Sequence, residues 1–399
     1  MEIKSYLIPA NIEVQEYELY QWGNFVKQYT TDSFPDLDGI KIALFGIGES
    51  RNSVGNEGCS AAPDAVREHF YKLAAISGVH LADLGNLRLG ETPNDTYHAV
   101  EFVCSELLEN NIIPIIIGGS QDLTYANYLA YQKLQQTVNL VCVDRKVDLG
   151  ISSPDPINGE KGIDNNSYLN SIIQHPSSLL FNLSLAAYQS YFVNDTEIET
   201  LKKMYFDVYR LGHIQSKKEE GEPIVRSADI LSFDISAIRQ SDAPACANTT
   251  PNGLYGEEAC QIMRYAGMSD KLSSVGIYEL NPSLDNRGQT AHLAAQMIWY
   301  FLEGFSNRKN DFPVIAGKDY MKYRVTIPQP LTSGDENGHE IVFYKSLKTD
   351  RWWMEVPFKV ADKSKYERHH LVPCSYDDYL LACAEEMPDR WWQAYQKLN

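Results

Sequence analysis

Three aspartates sit where short apolar runs break off: Asp144 and Asp148 in DRKVD after VNLVCV, and Asp234 in SFDIS. Carboxylate oxygens are hard ligands, suited to Mg2+, Ca2+ or Mn2+. Lys146 stands between the first two aspartates, and an ammonium has three donors and no lone pair, so it competes with any ion for those oxygens. Two chemistries are open: an oxygen-ligated cation, or a buried network in which lysine is itself the cation.

The elements that carry these residues read as strands alternating with helices. Apolar runs at 40–47, 79–84, 112–117, 138–143, 178–185, 230–235 and 274–278 predict strands. Helical-period segments at 63–73, 97–109, 122–135, 195–204, 255–267 and 289–304 fall between or after them. Strands apolar on both faces and separated by helices imply a three-layer α/β/α fold with a mainly parallel sheet. In such a sheet function gathers at the carboxyl ends of the strands, where Gly118–Asp122, Asp144–Asp148 and Ser232–Ser236 are expected to converge.

Three regions are expected: an N-terminal extension at 1–39, an α/β domain at 40–309, and an aromatic-rich C-terminal extension at 310–399. The last is read as a hairpin at 341–358 followed by helices at 376–386 and 389–397, with Trp352-Trp353 and Trp391-Trp392 as packing anchors or as a surface for a protein partner. A formal charge of −18, from 35 Lys+Arg against 53 Asp+Glu, argues against a nucleic-acid footprint or anionic lipid. The seven cysteines form no Cys-x-x-Cys pair, and neither a signal peptide nor a membrane-spanning run is evident, so a cytoplasmic location is expected.

Motifs at these strand ends resemble the arginase–agmatinase–formimidoylglutamase family, the manganese ureohydrolases, over about residues 40–305. Pro63–Arg67 after Gly58 resembles the family's early Gly…Pro-x-x-x-Arg segment. Gly118–Gln121 lies where the family has Gly-Gly-Asp-His, Asp144–Asp148 where it has Asp-Ala-His-x-Asp, and Ser232–Ser236 where it has Ser-x-Asp-x-Asp. Asp242-Ala243-Pro244, Pro251–Leu254 through Glu258, and Gly276–Pro282 resemble its later elements in the same order.

That resemblance implies two Mn2+ ions and a bridging hydroxide. It places the first ion on positions 121, 144, 148 and 234, and the second on 144, 146, 234 and 236. In this chain those positions hold Gln121, Asp144, Asp148 and Asp234, then Lys146 and Ser236; the nine histidines all lie elsewhere. The second position keeps Asp144 and Asp234 but has Lys146 and Ser236 in place of its other two ligands, which excludes that ion. Three carboxylates against Lys146 leave −2, or −1 if Arg145 also points inward, and the ammonium is expected to bond Asp144 and Asp234. The main expectation is thus a pseudoenzyme or assembly component without a cofactor. The alternative is a formimidoylglutamase-like hydrolase of linear amidines using one Mn2+ or Mg2+ ion. Glu258 and Lys146 are the substrate-pocket candidates, Glu258 having an ordinary helix-start glutamate as its second reading. The resemblance also implies a possible homo-oligomer.

Overall fold

The computed structural model describes residues 2–13, 15–150, 162–313, 319–328, 339–358 and 366–399. Fourteen strands run through these residues: β1 (Leu7–Ile8), β2 (Lys27–Gln28), β3 (Ile42–Gly46), β4 (Leu81–Leu87), β5 (Ile113–Ile117), β6 (Val138–Val143), β7 (Leu180–Tyr188), β8 (Asp207–Arg210), β9 (Ile230–Asp234), β10 (Ser274–Tyr278), β11 (Tyr320–Ile327), β12 (His339–Ser346), β13 (Trp352–Glu355) and β14 (Leu371–Cys374).

Among the described residues the first ten strands make one sheet in the order β1-β4-β3-β5-β10-β9-β6-β7-β8, with β2 also beside β4. Every pairing is parallel except that of β1 with β4. β3, β5, β6, β9 and β10 are buried along their whole length, as runs such as IPIII and VNLVCV require when helices cover both faces. One face packs against helices Ala62–Phe70, Gly256–Met268 and Gln289–Ser306. Helices Pro93–Glu109 and Leu123–Lys133 cover the other. The expected α/β/α layering is present.

Local signals set the helix starts. Thr92 caps Pro93–Glu109 by accepting from Asp95 N while Asp95 accepts from Thr92 N, a reciprocal pair of the kind that contributes about 1 kcal/mol. Proline follows at the first helical position, where its missing N–H costs nothing.

The C-terminal region contains the expected hairpin, β12 with β13, inside a larger sheet not expected from the sequence. β11, β12, β13 and β14 form an antiparallel four-stranded sheet in that order, backed by helices Tyr376–Cys383 and Asp389–Leu398. β11 escapes a reading by apolar runs because its exposed Lys322, Arg324 and Thr326 interrupt any such run. Trp353 and Trp391 are buried, each 1% exposed, whereas Trp392 is 41% exposed. Among the described residues no helix is long and apolar enough to cross a membrane.

Candidate functional site

β5, β10, β9 and β6 are neighbours in the sheet, so the segments leaving their carboxyl ends lie side by side. Gly118–Gln121 follows β5, Glu279 follows β10, Asp234 ends β9 and Asp144 follows β6. Two glycines at the first turn are a steric requirement. A Cβ on Gly118 would lie 2.2 Å from the Tyr278 ring, and one on Gly119 would lie 2.1 Å from Glu49 O.

Asp144, Asp148 and Asp234 are all buried and lie close enough to each other and to Lys146 for their charges to interact, while Gln121 bonds Glu279 and Ser232 on the adjoining segments. Asp144 Oδ1 accepts from Lys146 N at 3.2 Å, and Asp234 Oδ1 accepts from Ser236 N at 2.6 Å. Burial pushes the Asp144 carboxyl well above the usual range, and the charges of Asp148 and Asp234 push it further. Burial, with the Glu279 charge next, raises Asp234 to about 7. Burial pulls the Lys146 ammonium down, but Asp148 and then Asp144 outweigh it and hold the group above its ordinary value.

One expectation is corrected. Lys146 Nζ lies 3.1 Å from Asp148 Oδ1 and donates to Asn166 Oδ1, rather than bonding Asp144 and Asp234. Asp144 is instead engaged by the lysine's backbone N–H. Arg145 turns toward Phe192, its guanidinium carbon 4.9 Å from the ring centre.

Glu279 is the residue sequence reasoning missed. It is 2% exposed, its φ is +66°, and its carboxylate accepts from Ser53 Oγ, Asn56 Nδ2, Gln121 N and Asn165 Nδ2 at 2.8–3.2 Å. The left-handed backbone costs on the order of 1 kcal/mol or more for a non-glycine residue. It is held by those four donors. A signal was present, because 274–278 reads as a strand and Glu279 is the next residue.

Glu258, a substrate-pocket candidate, is bonded to Tyr255 and Gln215, two residues that line the cavity beside this cluster. Its Oε2 accepts from Tyr255 N at 3.0 Å and Gln215 Nε2 at 3.3 Å, at the start of helix Gly256–Met268. Cys142 is fully buried, and burial drives its thiol far above its ordinary value, so it is no nucleophile.

The donor set can be tested against the metals the motifs imply. Among the described residues no three His, Cys, Asp or Glu side chains form a ready-made metal cage. At the second position an ammonium and a hydroxyl replace imidazole and carboxylate, which does not fit an ion. The first position differs. Gln121 Oε1, Asp144 Oδ2 and both Asp148 oxygens are buried without a hydrogen-bond partner. The Lys146 contact to Asp148 is electrostatic, lacking hydrogen-bond geometry. Unsatisfied buried oxygens cost about 1–3 kcal/mol each. As donor types, these oxygens suit a hard divalent ion.

A cavity of about 330 Å3 opens beside this cluster, lined by Gln189, Tyr191, Arg210, Arg239 and Tyr255 among others. Gln189 connects the two, its N–H donating to Arg145 O at 2.7 Å.

The family model described as the arginase family matches residues 40–303. The formimidoylglutamase of Halalkalibacterium halodurans is 26% identical over 303 residues, covering 70% of this chain and 94% of that protein. That of Bacillus subtilis strain 168 is 25% identical over 305 residues, covering 69% and 91%. Among solved structures, Trypanosoma cruzi formiminoglutamase with Mn2+ aligns at a TM-score of 0.62 and 19% identity, over 69% of this chain and 96% of that one. Bacillus subtilis formimidoylglutamase aligns at 0.63 and 20%, over 76% and 97%. At those identities the structural likeness speaks to the fold.

Proposed function

The chain belongs to the arginase family, and on that premise we propose that it hydrolyses carbon–nitrogen bonds in linear amidines with one divalent ion. Gln121, Asp144, Asp148 and Asp234 are the residues that would hold that ion. The observation that carries this reading is the group of three buried oxygens without a hydrogen-bond partner, Gln121 Oε1, Asp144 Oδ2 and Asp148 Oδ2. The formimidoylglutamase relatives support it over the pseudoenzyme expectation.

When bound, such an ion supplies Lewis acidity and so the means of activating water at neutral pH. The chain's own residues do the rest. Asp144, Asp148, Asp234 and Glu279 against the Lys146 ammonium carry a formal −3, which one divalent cation brings to −1. Lys146 keeps a fixed positive charge against Asp148. Glu279 orients the turn that presents Gln121 by accepting its backbone N–H. The neighbouring cavity is of the size small-molecule sites have, and Arg210 and Arg239 line it. Guanidinium groups there suit the carboxylate end of an N-formimidoyl amino acid. In the reaction water adds to the amidine carbon, the bond to the amino-acid nitrogen breaks, and that nitrogen leaves as an amine.

The test is release of amine from N-formimidoyl-glutamate by Mn2+-loaded protein. Activity is expected to fall by about 100-fold or more in Asp234→Asn, since a Lewis-acid contribution of several kcal/mol is lost. Turnover that Asp234→Asn leaves intact would refute the reading.

A further inference from the structure

A second cavity, of about 60 Å3, lies between the ten-stranded sheet and the C-terminal sheet. Asn139 near the start of β6 and Asn182 and Ser184 in the first half of β7 line it, at the opposite ends of those strands from Asp144 and Gln189. It is therefore distinct from the carboxylate cluster, and its ligand chemistry is independent of the amidine hydrolysis proposed for that cluster.

Three donor-bearing side chains in its wall are nine-tenths or more buried: Arg226 at 5%, Arg351 at 9% and His369 at 3% exposure. Each has an unpartnered nitrogen, namely Arg226 Nη1, Arg351 Nη2 and His369 Nδ1. Their other atoms are fixed. Arg226 Nε donates to Glu222 Oε2 at 3.1 Å, and Arg351 Nε lies 3.0 Å from Glu222 Oε1, so one carboxylate holds both guanidinium groups. Arg226 Nη2 reaches Trp352 O at 3.0 Å and Cys374 O at 3.2 Å, and its plane lies over Trp353 at 4.3 Å. Arg351 Nη1 reaches Met268 O and Asp311 Oδ1, both at 3.3 Å. His369 stacks on Phe181 at 3.9 Å and shares a hydrogen bond with Thr137 through Nε2.

Two acceptors in the same wall are also unpartnered, Asp270 Oδ1 and Asn139 Oδ1. Net charge does not distinguish the cavity, because Glu222, Asp311 and Asp229 offset much of the positive charge nearby. Its distinguishing feature is the pairing of free guanidinium donors with free acceptors around a space sized for about four or five heavy atoms.

We propose that this cavity binds a small hydroxy- or amino-carboxylate, its carboxylate on Arg226 and Arg351 and its hydroxyl or amino group on Asp270 or Asn139. Guanidinium groups are suited to carboxylates, and charge-assisted bonds of this kind are the strong ones. The hydrogenphosphate dianion would bring a second negative charge beside Asp270 and Asp311, which line the same wall. Lys271 and Lys397 also line the wall, and burial pulls their ammonium groups down to about 8 against the opposing charges of Asp229 and Asp207.

Calorimetric titration of the full chain with glycolate, glycine, acetate and inorganic phosphate tests this. Glycolate or glycine is expected to saturate one site per chain in the millimolar range, with acetate weaker and phosphate weaker still. Arg351→Gln is expected to weaken that binding by about tenfold or more while leaving Mn2+ binding unchanged. Should that variant fail to fold, a crystal structure of the unaltered protein with glycolate is decisive. Density between Arg226 and Arg351 supports the site, and density only elsewhere overturns it. Absence of heat with every probe overturns the proposal in favour of buried water. Phosphate binding more tightly than glycolate overturns the ligand class.

Discussion

Lys146→Met is expected to destabilise the metal-free protein by about 3–5 kcal/mol at pH 8, and Mn2+ is expected to restore most of the loss. The ammonium is 19% exposed and lies 3.1 Å from Asp148, whose side chain is 1% exposed, so its removal strands a buried carboxylate beside two others. Breaking a buried pair costs more than the pair contributes, because the surviving charge is left without compensation. The penalty should shrink at pH 5.5. Burial raises the Asp144 and Asp234 carboxyls, so in acid the folded protein holds protons there and carries less charge to strand. Urea denaturation with and without Mn2+ at both pH values measures this. An unchanged midpoint at pH 8 without metal would remove the idea that lysine is the resident cation.

Arg67→Met is expected to cost a similar ~3–5 kcal/mol, by a route that metal does not rescue. Arg67 is fully buried in helix Ala62–Phe70. Its Nε and Nη2 donate to the two Asp83 oxygens at 2.8 and 3.0 Å, and Nη1 donates to Asn86 Oδ1 at 2.6 Å. Nη2 also donates to Gly85 O at 2.6 Å, and Tyr71 OH donates to Asp83 Oδ2 at 2.7 Å. This network ties the helix to β4, and methionine would leave Asp83 charged and buried. Lower urea midpoints with an unchanged slope, the same with or without Mn2+, are the expected result. Recovery on adding Mn2+ would mean that the arginine acts through the carboxylate cluster after all.

The central strands were legible because both of their faces are buried, which writes an unbroken apolar run into the chain. Asp144, Asp148 and Asp234 were legible for a second reason: parallel strands deliver their carboxyl ends to one edge. Polar edges were not. β8 is an edge strand, DVYR, only partly buried, and β11 alternates charge with aromatics, so neither has the run that signals a strand. Strand order was also hidden. That β10 sits between β5 and β9 is a long-range fact, and it alone puts Glu279 at the centre of the site. The partner of Lys146 was misjudged because side-chain torsions and the turn after β6 decide it, and spacing carries no information about either.

The most direct measurement is the manganese content of protein loaded with excess Mn2+ and then desalted, determined by elemental analysis per chain. One equivalent is the predicted result, with the Lys146 ammonium supplying the remaining positive charge beside Asp148. Two equivalents, or almost none, would contradict it.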